Sequence, residues 1–205
     1  MKTPGIELLK WLGVFAMLYD HAAYFAGVSL PYAHHVGSFA FPAFAYAMVA
    51  AMHDRPVGKY GQVARRMFTW GLIAQIAVVF VRDPLPLNVL FTLGAGLAFS
   101  ALLSEDLTAK TVGSMAVFLA LGAFAEFSVV GVAFIVAAHA HVRGHSFLWP
   151  VAVSIFLPVF NEMSLGASFA TILIPYLLQY GPELTRVKRV FYPVYVLQWP
   201  LMRLL

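Results

Sequence analysis

The chain has 205 residues, of which 61% are hydrophobic and 11% are charged, and its mean hydropathy is +0.82. This composition excludes an ordinary soluble globular domain and predicts an all-α, polytopic integral membrane protein, because segments in lipid must satisfy their backbone groups internally. The absence of cysteine excludes a disulfide framework and thiolate chemistry. The basic residues form no stripe along one segment, so we expect no nucleic-acid partner despite a sequence pI of about 9.4.

The first predicted span runs from Ile6 to Ser29 and carries Lys10, Asp20 and His21 inside an apolar run. Ionisable residues at membrane depth usually face a cavity or a partner, which makes Asp20 and His21 candidate catalytic residues. The alternative is a buried polar pair that specifies helix packing. Neighbouring residues point about 100° apart, so each of the two needs a partner from another helix. Lys10 and His21 are close to three turns apart and share a face, which predicts a polar shaft.

Eight further apolar runs follow, so we expect about nine spans (8–10) in a single domain covering residues 1–205. The N-terminal run is too long for the core of a signal peptide and is interpreted as a retained span. The other runs are approximately Val36 to Met52, Gln62 to Val81, Leu87 to Leu103, Thr108 to Ala125, Ser128 to His141, Phe147 to Phe160, Leu165 to Tyr180 and Val190 to Leu205.

Charge placement predicts a cytoplasmic N-terminus, because positive residues accumulate on the inner side of membrane proteins. Eleven of the 13 Lys and Arg residues then lie on that side, and only Arg82 and Arg203 lie outside. The inner set comprises Lys2, Lys10, Arg55, Lys59, Arg65, Arg66, Lys110, Arg143, Arg186, Lys188 and Arg189. Arg65 and Arg66 at a helix start also suit a clamp for an anionic cofactor. Lys10 either binds the same ligand or snorkels to the headgroups.

Four polar residues fall near the predicted outer half of the bundle. His34 and His35 occupy the first outer loop, and Tyr195 and Gln198 lie in the last span. Two histidines in a loop are either solvated or part of a substrate contact or proton relay. We take His35, Tyr195 and Gln198 as candidate substrate-binding residues.

Other features of the spans predict helix geometry. Pro42 removes a backbone donor and should kink the second span. Gln75 and Asn88 are polar at membrane depth and are expected to hydrogen-bond across helices. Gly94 and Gly96 allow close helix approach, and the chain has no phosphate-binding glycine motif.

The segment HAHVRGH contains His139, His141 and His145 but does not predict a metal centre. The first two are two positions apart and point to different helix faces. Only His141 and His145 have the i,i+4 spacing of paired ligands, so we expect no metal site.

Four segments resemble the TraX family of membrane proteins associated with conjugative pilus systems. They are KWLGVFAMLYDHAAYF, FAFPAFAYAM followed by a basic loop, LPLNVLFTLGAGL and the closing FYPVYVLQWP. They occur in the family's order over most of the chain, and the DH pair, FPxF and LNVLFTL are their specific parts.

The resemblance implies N-terminal acetylation of a pilin subunit in the bacterial inner membrane, with acetyl-CoA as acyl donor. Asp20 and His21 match the family's DH pair, and Asn88 matches its asparagine. In this scheme Arg65, Arg66 and Lys10 hold the cofactor, and Asn88 and Gln75 hydrogen-bond the thioester oxygen. His21 acts as the general base, and Asp20 orients a partner or stabilises charge on the acceptor.

Two positions depart from the family pattern. The family commonly has an arginine shortly before FP where this chain has Ser38, and a histidine after the closing YP where this chain has Tyr195. These departures leave open an O-acyltransferase acting on a glycan or lipid and a non-catalytic pilus-assembly partner. A further alternative is a proton-linked transporter, in which Lys10, Asp20 and His21 form a relay. Homo-oligomerisation is left open.

Overall fold

The computed structural model describes residues 4–81, 83–160, 164–186 and 190–202, and the fold is all-α, as predicted. Lys2, Arg82, Lys188, Arg189 and Arg203, which enter the charge argument, lie outside the described residues. The described helices are α1 Ile6–Ala26, α2 Ala33–Gly37, α3 Ala40–Met52, α4 Val57–Val79, α5 Val89–Leu102, α6 Ala109–Ala123, α7 Ser128–Val142, α8 Leu148–Ser154, α9 Gly166–Tyr180 and α10 Phe191–Met202, with a 3₁₀ turn at Leu157–Phe160.

Helices α3 and α5 form the centre of the bundle, and nearly all of their residues are buried. Helix α3 packs against α1, α7 and α9, and α5 packs against α4, α6 and α7. Small side chains permit this approach. A Cβ added at Gly96 would lie 2.5 Å from Ile135 of α7, so the predicted packing role of this glycine is confirmed.

Each predicted apolar run contains at least one described helix, but the second run is interrupted. The residues before α3 form a turn at Ser38 and Phe39. Pro42 lies in the first turn of α3, and it has no N–H to donate to the carbonyl of Ser38, four positions earlier. The interruption at Ser38 and Phe39 falls where that bond is missing, although both residues keep right-handed helical φ and ψ. The structure thus agrees with a disturbance of the second span at Pro42, and the kink itself stays a prediction.

One segment of the described chain is long and apolar enough to cross a membrane, namely Ala33–Met52, which comprises α2, α3 and the turn between them. The other apolar helices are shorter, and a helix of 15 residues is only about 22 Å long against a hydrocarbon core of roughly 30 Å. Helix α1 has 21 residues but carries Glu7, Lys10 and Asp20, which lower its hydropathy. The predicted nine crossings therefore stay a prediction.

Candidate functional site

A cavity of about 490 Å³, here called the inner cavity, lies between α1, α3, α4, α5 and α10. Its described lining contains no carboxylate and is otherwise mainly apolar, with several methionine and alanine side chains. Five cations contribute to it: Lys10, Arg55, Lys59, Arg66 and Arg186. The cavity thus combines positive charge with apolar walls.

The cationic side chains of the inner cavity differ in the contacts that they make with neighbouring residues. Lys10 Nζ lies 2.7 Å from Glu7 Oε1 and 5.7 Å from the centroid of the Phe191 ring. Lys59 Nζ donates to Gln62 Oε1 at 3.1 Å. Both Arg65 and Arg66 are exposed, but Arg66 lines the cavity and Arg65 lies outside the described lining. Of the two arginines predicted as a clamp, the structure brings only Arg66 to the cavity.

A second cavity of about 410 Å³, here called the outer cavity, contains the DH pair of α1. Asp20 and His21 line it together with His34 of α2 and with Glu126. Aromatic side chains from α1, α3 and α10 complete much of the described wall. Acid, base and apolar groups therefore surround one space.

The two cavities meet at four residues, here called the shared wall: Met17 of α1, Phe44 of α3, Val89 of α5 and Tyr195 of α10. Because these side chains line both cavities, the two spaces adjoin at this layer of side chains. Lys10 lines one cavity and His21 the other, so one face of α1 runs past both, as their spacing predicts. Tyr195, a predicted substrate-binding residue, is 6% exposed and lies in this layer.

Two side chains of α10 contact the imidazole ring of His21. Its Nδ1 lies 3.0 Å from Oε1 of Gln198, and its ring centroid lies 5.1 Å from that of Trp199. Gln198, another predicted substrate-binding residue, is 3% exposed and contacts His21 and Met17. The expectation that His21 needs a partner from another helix is confirmed.

Asp20 faces α2. Its Oδ1 lies 3.7 Å from Nδ1 of His34, and both side chains are partly exposed. A Cβ added at Gly37 would lie 2.4 Å from Cβ of Asp20, so the backbone of α2 rests directly on this side chain. Only a residue without a side chain permits that approach.

Glu126 reaches the outer cavity because backbone hydrogen bonds tie two connections together. Leu87 N donates to Phe124 O at 2.8 Å, and Glu126 N donates to Leu87 O at 2.8 Å. Thr92 of α5 also donates its hydroxyl to the Glu126 carbonyl. The connection between α6 and α7 is thereby fixed beside the start of α5.

Asn88 and Gln75 bond to each other, which agrees with the predicted contact across helices. Asn88 Nδ2 donates to Gly71 O at 2.8 Å and to Gln75 Oε1 at 2.9 Å, and its Oδ1 accepts from Leu90 N as the N-cap of α5. Gln75 Nε2 donates to Pro84 O at 2.7 Å. Asn88 is fully buried, and neither residue is in the described lining of the two cavities. Their predicted contact with the thioester stays untested, and their bonds give them a structural role.

His35 also lies outside the described lining of both cavities. Its Nδ1 is 3.0 Å from Ser164 Oγ, which accepts from Ser38 Oγ at 2.6 Å. This cluster ties α2 to the start of α9. The histidine beside it, His34, is the one that enters the outer cavity.

The histidines of α7 diverge. His139 Nε2 lies 3.0 Å from the hydroxyl of Tyr60, whereas the ring of His141 packs against Phe147 at 5.1 Å. No group of three metal-ligating side chains occurs in the part of the chain that the structure describes.

The sequence interpretation missed several lining residues: His34, Glu126, Arg55, Lys59 and Arg186. One signal was available for α4. Lys59, Gln62, Val63, Arg66 and Met67 recur at helical spacing and all line the inner cavity, a pattern that includes Arg66 and omits Arg65. No comparable signal in the sequence brings Glu126 to His21.

A family model described as TraX protein matches residues 5–205, which is nearly the whole chain. No curated protein and no solved structure gives a significant match.

Proposed function

Because the chain belongs to the TraX family, whose members are conjugation-related and pilin-associated, we propose that it is an acetyl-CoA-dependent acyltransferase of the bacterial inner membrane. The acceptor in this proposal is the amino terminus of a pilin subunit. The observation that carries the proposal is the shared wall, which puts a cation-lined cavity in contact with a cavity that holds a histidine and carboxylates.

The inner cavity suits the acyl donor. Coenzyme A carries several phosphate charges at one end, and cationic side chains bind phosphate by charge-assisted hydrogen bonds. Arg55, Lys59, Arg66 and Arg186 supply that charge, and the apolar part of the lining suits the pantetheine arm. All four belong to the set predicted to be cytoplasmic, which is the side on which acetyl-CoA is made.

The outer cavity suits the acceptor. Asp20 and Glu126 offer negative charge to the incoming ammonium group. That group first loses one proton to solvent, because only the neutral amine has a lone pair. The amine attacks the thioester carbonyl carbon, the new C–N bond forms, the C–S bond breaks, and the coenzyme leaves as its thiolate. His21 takes the second proton, which the attacking nitrogen loses, since an imidazole can act as a base near neutral pH.

Several spans are part of the proposal. Large apolar side chains are highly exposed on the outside of the bundle, among them Leu148, Trp149 and Phe169 at 73%, 65% and 70%. So much exposed apolar surface would promote aggregation in water, whereas in a membrane the same surface contacts lipid. The shorter helices then cross where the bilayer is locally thinned.

Intact-mass analysis of a co-expressed pilin from the same genetic neighbourhood tests the activity. We expect one added acetyl group on the pilin amino terminus with the wild-type protein and none with His21→Ala. His145→Ala is the matched control, because His145 is exposed and lies outside the described lining of both cavities. An unmodified pilin in the presence of the wild-type protein contradicts the proposal.

A proton-linked transporter is the second candidate, favoured by two cavities that adjoin at the shared wall. Asp20 and His34, at 3.7 Å, would then relay protons. A transporter has no need of acetyl-CoA, so pilin acetylation that depends on His21 decides between the two.

A further inference from the structure

Gln198 is a buried amide whose two ends contact different atoms of α1. Its Oε1 lies 3.0 Å from Nδ1 of His21, and its Nε2 donates to Sδ of Met17 at 3.5 Å. We propose that Gln198 is a positioning residue that fixes His21 in the tautomer with its proton on Nδ1, which makes Nε2 the basic nitrogen. The catalytic meaning of this inference rests on the proposed function, but the tautomer is a property of the protein alone.

The thioether of Met17 sets the orientation of the amide. A thioether accepts hydrogen bonds weakly and has no hydrogen to donate. The NH₂ group of Gln198 therefore faces the sulfur, and the carbonyl oxygen faces His21. The reverse orientation would place the amide oxygen against the sulfur, so that two acceptors meet at a site that is 3% exposed.

The carbonyl oxygen then sets the state of the imidazole. An amide oxygen can only accept, so Nδ1 of His21 must donate. A neutral imidazole has one N–H, and with the proton on Nδ1 the nitrogen that lacks a proton is Nε2. When Nε2 takes up a proton, Nδ1 still donates to Gln198. The contact therefore persists through proton transfer, and no side chain has to reorient.

Aromatic packing fixes the orientation of the His21 ring, and with it the direction of the hydrogen bond to Gln198. The ring of His21 packs against Trp199, at 5.1 Å, and against Phe25, at 6.2 Å between centroids, and these two rings also contact each other at 5.8 Å. Gln198 and Trp199 are adjacent on α10, so one turn of that helix sets both the tautomer and the tilt of the imidazole. A residue 177 positions away in sequence thereby orients the DH pair of α1.

Nitrogen NMR of the ¹⁵N-histidine-labelled full chain in detergent measures the tautomer without any turnover. The His21 resonances are assigned by their loss in His21→Ala. Above the pH at which the ring is neutral, we expect Nδ1 to be protonated in the wild type and a mixture of tautomers in Gln198→Met, which keeps the length of the side chain without its amide. A wild-type ring protonated on Nε2, or a variant with an unchanged tautomer, overturns the inference.

Kinetics give the second readout. We expect Gln198→Met to lower kcat about 10- to 100-fold, with the KM for acetyl-CoA changed by less than about twofold. In Gln198→Glu a carboxylate replaces the amide and stabilises the protonated ring, so the acid limb of the pH–rate profile moves to higher pH. Asp20, His34, Glu126 and Tyr195 share the cavity and stay unchanged in each variant, so their influence cancels.

Gln179→Glu is the matched control, because Gln179 is exposed and lies outside the described lining of both cavities. Its pH profile should equal that of the wild type. If the acid limb of the pH–rate profile lies at the same pH in Gln198→Glu and in the wild type, the positioning role is contradicted. If no acetyl transfer is found at all, the NMR result still decides the tautomer, so failure of the proposed function and failure of this inference are distinguishable.

Discussion

The inner and outer cavities share four wall residues but differ in charge. The described lining of the inner cavity carries five cations and no carboxylate, whereas that of the outer cavity carries Asp20, Glu126, two histidines and neither Lys nor Arg. The same face of α1 passes both. The difference shows that one helix can contribute to a cation-lined space at one level and to a space with carboxylates and histidines at another, with the shared wall where they adjoin.

The largest loss of acetyl transfer is expected when a bulky side chain is introduced into the shared wall. We expect Val89→Trp to lower acetyl transfer at least about 100-fold, because the donor and the base would no longer meet at the required distance. Acetyl-CoA binding should persist. Transfer is measured by mass spectrometry of the acceptor, and binding by equilibrium titration.

Val117→Trp is the control for this substitution, since Val117 is 64% exposed on α6. Overpacking costs typically about 1–3 kcal/mol, so the melting temperature of each variant is recorded to show that it is folded. Undiminished transfer in folded Val89→Trp would show that the chemistry does not pass through the shared wall.

The cations of the inner cavity can be tested with two adjacent arginines. We expect Arg66→Ala to weaken acetyl-CoA binding about tenfold, because a charge-assisted contact to phosphate is lost. The affinity of the wild type should also fall with rising salt. Arg65→Ala removes the same charge from the same helix but outside the described lining, and should change the affinity less than about twofold. Equal effects of the two would mean that only general surface charge matters.

The outer cavity can be perturbed without replacing any titratable residue. In Gly37→Ala the new methyl group displaces the Asp20 side chain, from which a Cβ would be 2.4 Å away. We expect transfer to fall severalfold, on the order of 1 kcal/mol in the barrier, with acetyl-CoA affinity unchanged. The control is Gly113→Ala in α6, where a Cβ meets no atom within 4 Å. Loss of acetyl-CoA affinity in Gly37→Ala would contradict the division of roles.

The smallest effect on transfer is expected for Asn88→Ala. The substitution removes the N-cap of α5 and two further hydrogen bonds, so stability should fall by about 2–3 kcal/mol. Transfer per folded molecule should change by less than about twofold. A large loss of transfer in the folded variant would restore the thioester contact that the sequence alone suggests for Asn88.

The helices could be predicted, because long apolar runs are local signals. Charges inside an apolar run singled out the DH pair in the same way, and its catalytic role stays a prediction. The partners of the pair could not. Gln198 is 177 positions from His21, and nothing local indicates that α10 returns to α1 at that level. His34 and His35 are adjacent, and only the course of α2 decides that the first faces Asp20 and the second faces Ser164.

Two buried amides show the same limit. Asn88 and Gln198 are both buried and polar. The side chain of Asn88 bonds to Gln75 and to the backbone of α5, whereas that of Gln198 contacts His21. Residue type and depth therefore indicate that an amide has a partner, and the tertiary structure decides which partner it has.

Transfer across a sealed membrane tests the central claim most directly. The purified protein is reconstituted in liposomes with acetyl-CoA enclosed and a peptide with the mature pilin amino terminus added outside, and the peptide is then analysed by mass spectrometry. We predict acetylated peptide in this arrangement and none when donor and acceptor are both outside. Acetylation only when both are on the same side would contradict the proposed enzyme, which takes its donor and its acceptor from opposite sides of the membrane.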